Sequence, residues 1–208
     1  MNAREARAAM LIERFAGATL HPDLAWWNEP PRWSCQRTGG LRLEARAGTD
    51  FWQRTHYGFA RDDGHVLAAR RTDDFTLTTH VRSHPVHQYD QAGLIVRLSS
   101  ACWLKTSVEY EPEGASRLGV VVTNAAWSDW STQDAPSSLR EIWLRVQRTG
   151  GDYVVGASGD GREWTQMRVA RLHEDAPGAS VQAGLYACSP QGAGFVAEFS
   201  SLEIGCPG

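Results

Sequence analysis

Turn-forming residues interrupt this chain at short intervals, and no segment after residue 15 keeps a helical repeat. Glycine and proline recur roughly every 8–15 residues. No stretch between them holds apolar residues at the 3.6-residue helical period for three turns. The short runs are instead rich in β-branched and aromatic residues, which favour strands. We predict strands at residues 41–45, 57–60, 66–70, 75–83, 92–98, 103–110, 118–124, 141–149, 153–158, 165–172, 180–187 and 194–204.

Many short strands with regular turns predict an all-β protein, a two-sheet antiparallel sandwich of jelly-roll type. Asp-Gly at 63–64 and 160–161 and Gly-Gly at 150–151 are typical of hairpin turns, because glycine accepts positive φ. The polar stretch 128–138 predicts one long loop. A chain of 208 residues fits a single sandwich that buries its core without disulfide or metal support.

The N-terminal segment has a different pattern. Residues 1–15 are charged and compatible with a short helix, carrying Arg4, Glu5, Arg7 and Glu13. We therefore divide the chain into an N-terminal helical extension, residues 1–18, and a single jelly-roll β-sandwich domain, residues 19–208. The segment lacks the uninterrupted apolar stretch of a signal peptide, which predicts a cytoplasmic protein.

Composition argues against several classes of partner. The formal net charge is −3 and the arginines are scattered, so we expect no nucleic-acid partner. No apolar run approaches the roughly 18 residues of a membrane span, so we expect no membrane partner. The four cysteines form no CxxC pair and are expected to be free thiols in a reducing compartment. We predict no cofactor and no metal, since His80, His84 and His87 share a face only on a helix and Pro85 favours extended backbone there.

Lys105 is the only lysine of the chain and lies within one of its most regular strand patterns. Arginine would have kept the charge but spread it over a planar fork, whereas lysine places a compact ammonium with three donors. A lone lysine in the middle of a strand therefore suggests a site built for a point charge. The alternative is a general preference for arginine with one lysine left by chance.

The register of the hairpin around Lys105 follows from its apolar positions. Residues 92, 94, 96 and 98 form one apolar face, and residues 104, 106, 108 and 110 form the other. To bring these two faces to the same side of the hairpin, the numbers of any two paired residues must add up to an even number. A slip of one residue would turn every side chain of one strand to the opposite face. A turn around 99–102 then pairs Arg97 with Trp103, Ile95 with Lys105, Gly93 with Ser107, and Gln91 with Glu109.

The opposite face of this hairpin is polar and aromatic. It carries Gln91, Arg97, Trp103, Lys105, Ser107 and Glu109, and Gly93 is expected to leave a dent among them. Because a lysine, a tryptophan and a dent coincide, we interpret this face as the floor of a ligand site. The alternative is an ordinary solvated strand face, which is also polar.

Several blocks of sequence resemble a known family. They are Trp27-Asn28-Glu29-Pro30, residues 50–59 (DFWQRTHYGF), residues 89–94 (YDQAGL), residues 103–110 (WLKTSVEY), Ser128-Asp129-Trp130-Ser131 and Cys188-Ser189-Pro190. Together they are similar to domain of unknown function 1349, an uncharacterised and mainly microbial and fungal family. It is often labelled concanavalin A-like or, after a fungal relative, "regulation of enolase".

The resemblance spans roughly residues 20–204 and implies a jelly roll of the concanavalin A-like lectin and glucanase type. Such a fold has a concave face of the kind that holds glycans, although a shared fold does not by itself confer function. The helix predicted for residues 1–15 would lie outside the family core.

Lys105 needs a carboxylate partner if it is buried. Glu109 lies four residues along the same strand, about 13 Å away at the strand rise, so we expect no direct pair between them. Asp90, Asp50 or Asp129 could supply the partner from a neighbouring loop. A structural ion pair that holds such a loop is the alternative to a ligand contact.

Glycoside hydrolysis would require two carboxylates about 5–5.5 Å or about 6.5–9.5 Å apart. Glu109 and Glu111 share a strand face at a Cα separation of roughly 6.6 Å. However, Pro112 ends the strand immediately, and the Glu-x-Asp-x-x-Glu run of jelly-roll glucanases is absent.

We predict a non-catalytic binding domain whose concave face holds a carbohydrate or another small polar or anionic sugar-like ligand. Trp52, Trp103 and Trp130 would stack on it, Gln91, Lys105, Glu109 and Asp129 would hydrogen-bond it, and His56 would line the rim. One alternative is a sugar hydrolase or lyase with Glu109 and Lys105 or His56 as acid and base, which predicts a raised carboxylate pKa in a closed cleft. Another is a protein-interaction module acting on a metabolic enzyme, with an exposed apolar patch; a homo-oligomer is also compatible.

Overall fold

The structure is a computed structural model that describes residues 10–207, and this range contains β-strands and no helix. The strands are β1 (Leu11–Glu13), β2 (Ala25–Trp27), β3 (Arg32–Cys35), β4 (Leu41–Glu44), β5 (Phe51–Gln53), β6 (Ala60–Asp62), β7 (His65–Arg71), β8 (Phe75–His84), β9 (Gln91–Ser99), β10 (Cys102–Glu109), β11 (Ser116–Asn124), β12 (Trp127–Ala135), β13 (Glu141–Thr149), β14 (Asp152–Ser158), β15 (Thr165–Arg171), β16 (Val181–Cys188) and β17 (Val196–Gly205).

Two antiparallel sheets form a sandwich, as the short strands predict. The eight-stranded sheet has the order β15-β14-β13-β8-β17-β4-β3, with β1 paired to β17. The seven-stranded sheet has the order β12-β11-β10-β9-β16-β7-β2, and β5 and β6 form a separate hairpin. The all-β, two-sheet prediction is confirmed, and the arrangement is consistent with a jelly roll.

The main core lies between the two sheets. Alternate residues of each strand point into it, for example Leu77 and Val81 from β8 and Leu94 and Val96 from β9. Each such aliphatic side chain contributes roughly 1.5–3 kcal/mol when it is fully buried. This core covers one face of the seven-stranded sheet and leaves its other face, the outer face, for a second layer.

The β5–β6 hairpin covers part of that outer face. Phe51 and Trp52 of β5 pack on side chains that point to the outer face of the sheet, including Ile95, Trp103 and Tyr186. The Phe51 ring lies 5.8 Å from the Trp103 ring and 5.9 Å from the Tyr186 ring, both edge-on. This second cluster anchors the hairpin beside the segment of β10 that carries the lysine.

The predicted register of the central hairpin is confirmed pair for pair. Strands β9 and β10 pair Arg97 with Trp103, Ile95 with Lys105, Gly93 with Ser107 and Gln91 with Glu109. The apolar positions face the main core and the alternate positions face outward, as the parity of the pattern requires.

The helix predicted at the N-terminus is wrong where the structure describes it. Leu11–Glu13 is strand β1, and Leu11 and Phe15 are buried in the main core. The Glu13 carboxylate accepts the backbone N–H groups of Phe15 and His21, at 2.6 and 2.7 Å. The pairing of β1 with β17 thus outweighs the weak local helical pattern. The rest of the predicted helix, residues 1–9, lies outside the described residues.

Three further local predictions are wrong. The stretch 128–138 is mostly strand β12, whose polar residues are tolerated because it is the outermost strand of its sheet. Residues 57–60 are mostly loop, since Arg54, His56 and Gly58 have positive φ. Asp63-Gly64 joins β6 to β7, which do not pair, so it is no hairpin turn. The glycine pair at 150–151 and the Asp-Gly at 160–161 do connect paired strands.

Candidate functional site

A pocket of ≈170 Å³ opens on the outer face of the seven-stranded sheet, beside the β5–β6 hairpin. Its lining comprises Asp50, Trp52, Tyr57, Phe59, Tyr89, Gln91, Lys105, Glu109, Trp130, Pro190 and Gln191. A cavity of about 150 Å³ holds benzene, so this pocket has room for one six-membered ring.

The walls of the pocket are aromatic and come from four segments. Trp52 of β5 and Trp130 of β12 meet edge-on with ring centroids 6.4 Å apart. Tyr57 and Phe59 come from the β5–β6 loop and stay 53% and 42% exposed at the mouth. Tyr89 comes from the β8–β9 turn, where its φ of 69° directs the chain back into β9.

The floor of the pocket is the buried ammonium of Lys105, which is only 2% exposed. Its Nζ donates to Gln91 Oε1 at 2.6 Å and lies 3.9 Å from Asp50 Oδ1. The Tyr186 hydroxyl donates to the same Gln91 oxygen at 2.9 Å. Gln91 is therefore held by two donors, and Asp50 is the loop carboxylate that the buried lysine requires.

Lys105 and Glu109 do form an ion pair, which corrects the expectation from strand spacing. Lys105 Nζ lies 3.7 Å from Glu109 Oε1 although the residues are four apart on β10. The long aliphatic stem of lysine spans the gap between the Cα atoms that the strand rise alone would leave open.

Burial and neighbouring charges shift the pKa of both partners upward. Burial raises the pKa of Glu109 to about 7, with Lys105 opposing the shift and Asp50 adding to it. Burial lowers the pKa of Lys105, but the charges of Glu109 and Asp50 outweigh burial, so it ends above its usual value. Near neutral pH the lysine is charged and Glu109 exchanges a proton.

The side chains of Lys105 and Glu109 at the floor can form more hydrogen bonds than they make with the described residues. Lys105 donates a hydrogen bond to Gln91, and the Glu109 carboxylate has Lys105 as its ion-pair partner at 3.7 Å but no hydrogen bond from any other described residue. Glu109 is nevertheless only 8% exposed. Because buried polar groups are almost always hydrogen-bonded, these two residues of the pocket lining are placed to bond a ligand in the pocket.

Replacing Glu109 with glutamine is expected to stabilise the protein at alkaline pH. An unfolded glutamate has a pKa of about 4.3, whereas burial raises that of Glu109 to about 7. Between these values the folded state binds more protons, so wild-type stability falls as pH rises towards 7 and then levels off. From pH 5 to pH 8.5, Glu109→Gln should gain roughly 2–3 kcal/mol over wild type in urea unfolding.

Glu113→Gln is the matched control for this measurement, since Glu113 is exposed between β10 and β11 and has no ion-pair partner among the described residues. A Glu109→Gln difference from wild type that changes with pH no more than the control's difference would contradict the raised pKa of Glu109.

Three predicted site residues lie away from the pocket lining. Trp103 is fully buried beneath the β5–β6 hairpin, so its ring offers no surface for stacking. Asp129 pairs with Arg168 at 2.9 Å, with a side chain that is 72% exposed. His56 is exposed and packs edge-on against Tyr57 at 4.8 Å, behind the mouth. The predicted residues that do meet at the pocket are Trp52, Gln91, Lys105, Glu109 and Trp130.

The dent expected at Gly93 is absent. A Cβ there would overlap the carbonyl oxygen of Thr106 and lie 2.8 Å from Leu144 Cδ1. The glycine therefore permits close packing rather than leaving a hollow. Gly119 has a comparable role, since a Cβ on it would lie 2.7 Å from Nε1 of the Trp130 indole that it supports.

The sequence reasoning missed the loop residues of the lining, namely Tyr57, Phe59, Tyr89, Pro190 and Gln191. Asp90 explains how two of these loops are held. Its carboxylate accepts the backbone N–H groups of Val86 and His87, both at 2.8 Å, and the hydroxyl of Ser189. The YDQ and CSP blocks around these residues are the signal that could have placed them together.

Fold and site together define a class, an antiparallel β-sandwich protein with a small aromatic-walled pocket on the outer face of one sheet. Residues 26–206 match the model of the family described as "Protein of unknown function (DUF1349)". The chain belongs to that family, which confirms the resemblance of the sequence blocks.

Known proteins share this sequence and fold to different degrees. The chain is 34% identical over 181 residues to Regulation of enolase protein 1 of Saccharomyces cerevisiae, covering 87% of this chain and 89% of the relative. The crystal structure of a functionally unknown protein from Saccharomyces cerevisiae has a TM-score of 0.81 at 34% identity, covering 89% of this chain and 97% of that one.

The fold also recurs inside a larger enzyme. A xylan β-1,4-xylosidase from Bacillus halodurans C-125 has a TM-score of 0.72 at 16% identity, covering 93% of this chain but 38% of the xylosidase. At this identity the match shows a common fold. Among the described residues, no helix is long and apolar enough to cross a membrane.

Proposed function

We propose that this protein binds a neutral polyhydroxylated ligand, a sugar or a sugar-like polyol, in the outer-face pocket. The observation that carries the proposal is the floor, where the buried Lys105 and Glu109 keep unused hydrogen-bonding atoms below aromatic walls. A sugar ring matches this arrangement because its hydroxyls bond polar groups while its C–H faces pack on aromatic rings.

The charges of the floor favour a neutral ligand over the anionic one that the lone lysine suggested. One ammonium, Lys105, is faced by two carboxylates, Glu109 at 3.7 Å and Asp50 at 3.9 Å. An anionic group would meet those carboxylates in a buried site, where like charges repel strongly. Hydroxyl groups can instead accept from the lysine and donate to either carboxylate.

Titration of the purified protein with neutral sugars tests this proposal. A ligand at 100 times its dissociation constant contributes about 2.7 kcal/mol of stability. For a chain of this size that corresponds to a rise in melting temperature of roughly 5–11 °C. Sugar phosphates and sugar acids of the same skeleton should give smaller shifts, and a larger shift with the anions would overturn the neutral assignment.

Tyr57→Ala should weaken binding of the sugar about tenfold, equivalent to about 1.4 kcal/mol. Tyr57 forms an exposed wall of the mouth, so its loss removes stacking area with little damage to the core. Trp127→Ala is the matched control, because Trp127 is 57% exposed and lies outside the pocket. Isothermal titration measures both variants, and equal affinities for the two would place the site elsewhere.

The raised pKa of Glu109 favours one second candidate, acid–base catalysis on the same ligand. A carboxyl group with a pKa of about 7 can exchange a proton at neutral pH, and Lys105 lies beside it. If this candidate is correct, the protein converts the ligand at a rate that changes with pH near 7. The Glu109→Gln variant should then show no conversion. Binding of a sugar that is recovered unchanged after prolonged incubation would favour the binding function.

The yeast relative carries a name that refers to the regulation of enolase. For this chain we propose, in the same sense, that ligand binding without turnover serves to regulate a metabolic enzyme. Enolase activity measured with the protein alone and with protein plus sugar tests this extension. No change in either condition would remove the regulatory role and leave the sugar site itself intact.

A further inference from the structure

A second hollow of ≈250 Å³ lies beside the pocket. Both hollows are lined by Asp50, Phe59, Pro190 and Gln191, and the second adds Gly48 and Arg61. Because they share these lining residues, the two hollows are adjacent, and we refer to them as the inner and the outer compartment of one groove.

The two compartments differ in how they end. The inner compartment stops at buried side chains, since Lys105 and Gln91 are each 2% exposed. The outer compartment is bordered by Phe59, which is 42% exposed, and by the half-exposed side chain of Arg61. A ligand that reaches the buried floor of the inner compartment can therefore extend outward past Phe59 and Arg61.

Polar atoms are placed at the junction and at the outer end. Asp50 Oδ1 accepts the N–H of Phe51 at 2.7 Å, whereas Oδ2 has no hydrogen-bond partner among the described residues. Arg61 donates through Nη1 to Gly48 O at 2.6 Å and to Asp63 Oδ2 at 2.9 Å. Among the described residues Nε and Nη2 of Arg61 have no acceptor, and its charge is already balanced by Asp63.

We propose that the groove binds the two terminal units of a neutral oligosaccharide, which rests on the proposed sugar site and extends it. The terminal unit occupies the inner compartment over Lys105 and Glu109. The second unit lies in the outer compartment, packs on Phe59 and accepts hydrogen bonds from Arg61. The linkage between the units passes Asp50, which lines both compartments.

Calorimetric titration with two homologous series tests the proposal, namely xylose, xylobiose and xylotriose, and glucose, cellobiose and cellotriose. In the series that binds, we expect the disaccharide to bind about tenfold more tightly than the monosaccharide. The trisaccharide should gain less than twofold over the disaccharide, because only two units contact the protein.

Arg61→Met identifies the outer compartment. It should reduce the ratio of monosaccharide to disaccharide dissociation constants from about ten to about two or less. Arg42→Met is the matched control, because Arg42 also forms an exposed arginine–carboxylate pair, with Glu198, but on the other sheet. The ratio should stay near ten in that variant.

The outcomes separate the two proposals. Equal affinity for monosaccharide and disaccharide would overturn the second subsite while leaving the sugar site in place. A ratio that survives in Arg61→Met would likewise exclude the outer compartment as its source. Absence of binding by every sugar in both series would overturn the sugar site and the subsite with it.

Discussion

Asp175→Ala is expected to lower the free energy of unfolding by about 3–5 kcal/mol, because it leaves a buried arginine without its counter-charge. Arg148 donates to the Asp175 carboxylate through Nε at 2.8 Å and Nη2 at 2.6 Å. The Tyr153 hydroxyl donates to it at 2.5 Å. The side chains of Arg148 and Asp175 are 4% and 0% exposed, so water does not replace the lost partner.

The same network ties distant segments together. Arg148 Nη1 also donates to the carbonyl oxygens of Thr72 and Asp73, which connect β7 with β8. Loss of Asp175 therefore loosens a junction between the two sheets. The expected fall in melting temperature is roughly 6–20 °C, at about 2–4 °C per kcal/mol.

Asp134→Ala is the control for Asp175→Ala. It also breaks an arginine–aspartate pair, with Arg117, but the Asp134 side chain is 72% exposed. Exposed pairs contribute at most about 1 kcal/mol, so its melting temperature should change little. If the two variants lose equal stability in urea unfolding, the buried network is not the reason for the loss.

Lys105→Met should be the second strongly destabilising change, with a loss of about 3–5 kcal/mol at pH 8. The substitution leaves the carboxylates of Glu109 and Asp50 near each other in a largely buried pocket without a cation. At pH 5.5 the loss should be smaller, because Glu109, whose pKa is raised to about 7 even against the opposing charge of Lys105, is protonated there with or without the lysine.

A double-mutant cycle separates this charge effect from lost packing. Lys105→Met combined with Glu109→Gln removes the cation together with one of the two carboxylates. We expect the double variant at pH 8 to be more stable than the sum of the two single changes in stability predicts, because the attraction between Lys105 and Glu109 is lost only once in it. A double variant whose stability equals that sum would mean that the pair does not interact in the folded protein.

The parts of the fold that follow from alternation could be predicted from the sequence. The β9–β10 register depended only on parity, so Ile95 opposite Lys105 followed from two apolar faces. Strand β1 was misread because its partner, β17, lies at the other end of the sequence. Strand β12 was missed because an outermost strand tolerates polar residues at positions where a central strand would not.

The site was predictable to the extent that it depends on those strands. Lys105, Gln91 and Glu109 share the outer face by periodicity, and the structure brings all three to the pocket floor. Trp103 shares that face too, but the β5–β6 hairpin lies on top of it. No local pattern shows where a hairpin docks, or that positive φ at Tyr89 directs that ring to the mouth.

The position of β17 in the eight-stranded sheet constrains the order in which that sheet can form. This strand follows every other strand along the described sequence, yet it lies between β8 and β4, so without it the sheet separates into β15-β14-β13-β8 and β4-β3. The eight-stranded sheet can therefore close only after the segment up to Gly205 has taken its place. Its closure should be slow, since these pairings join residues far apart in the sequence.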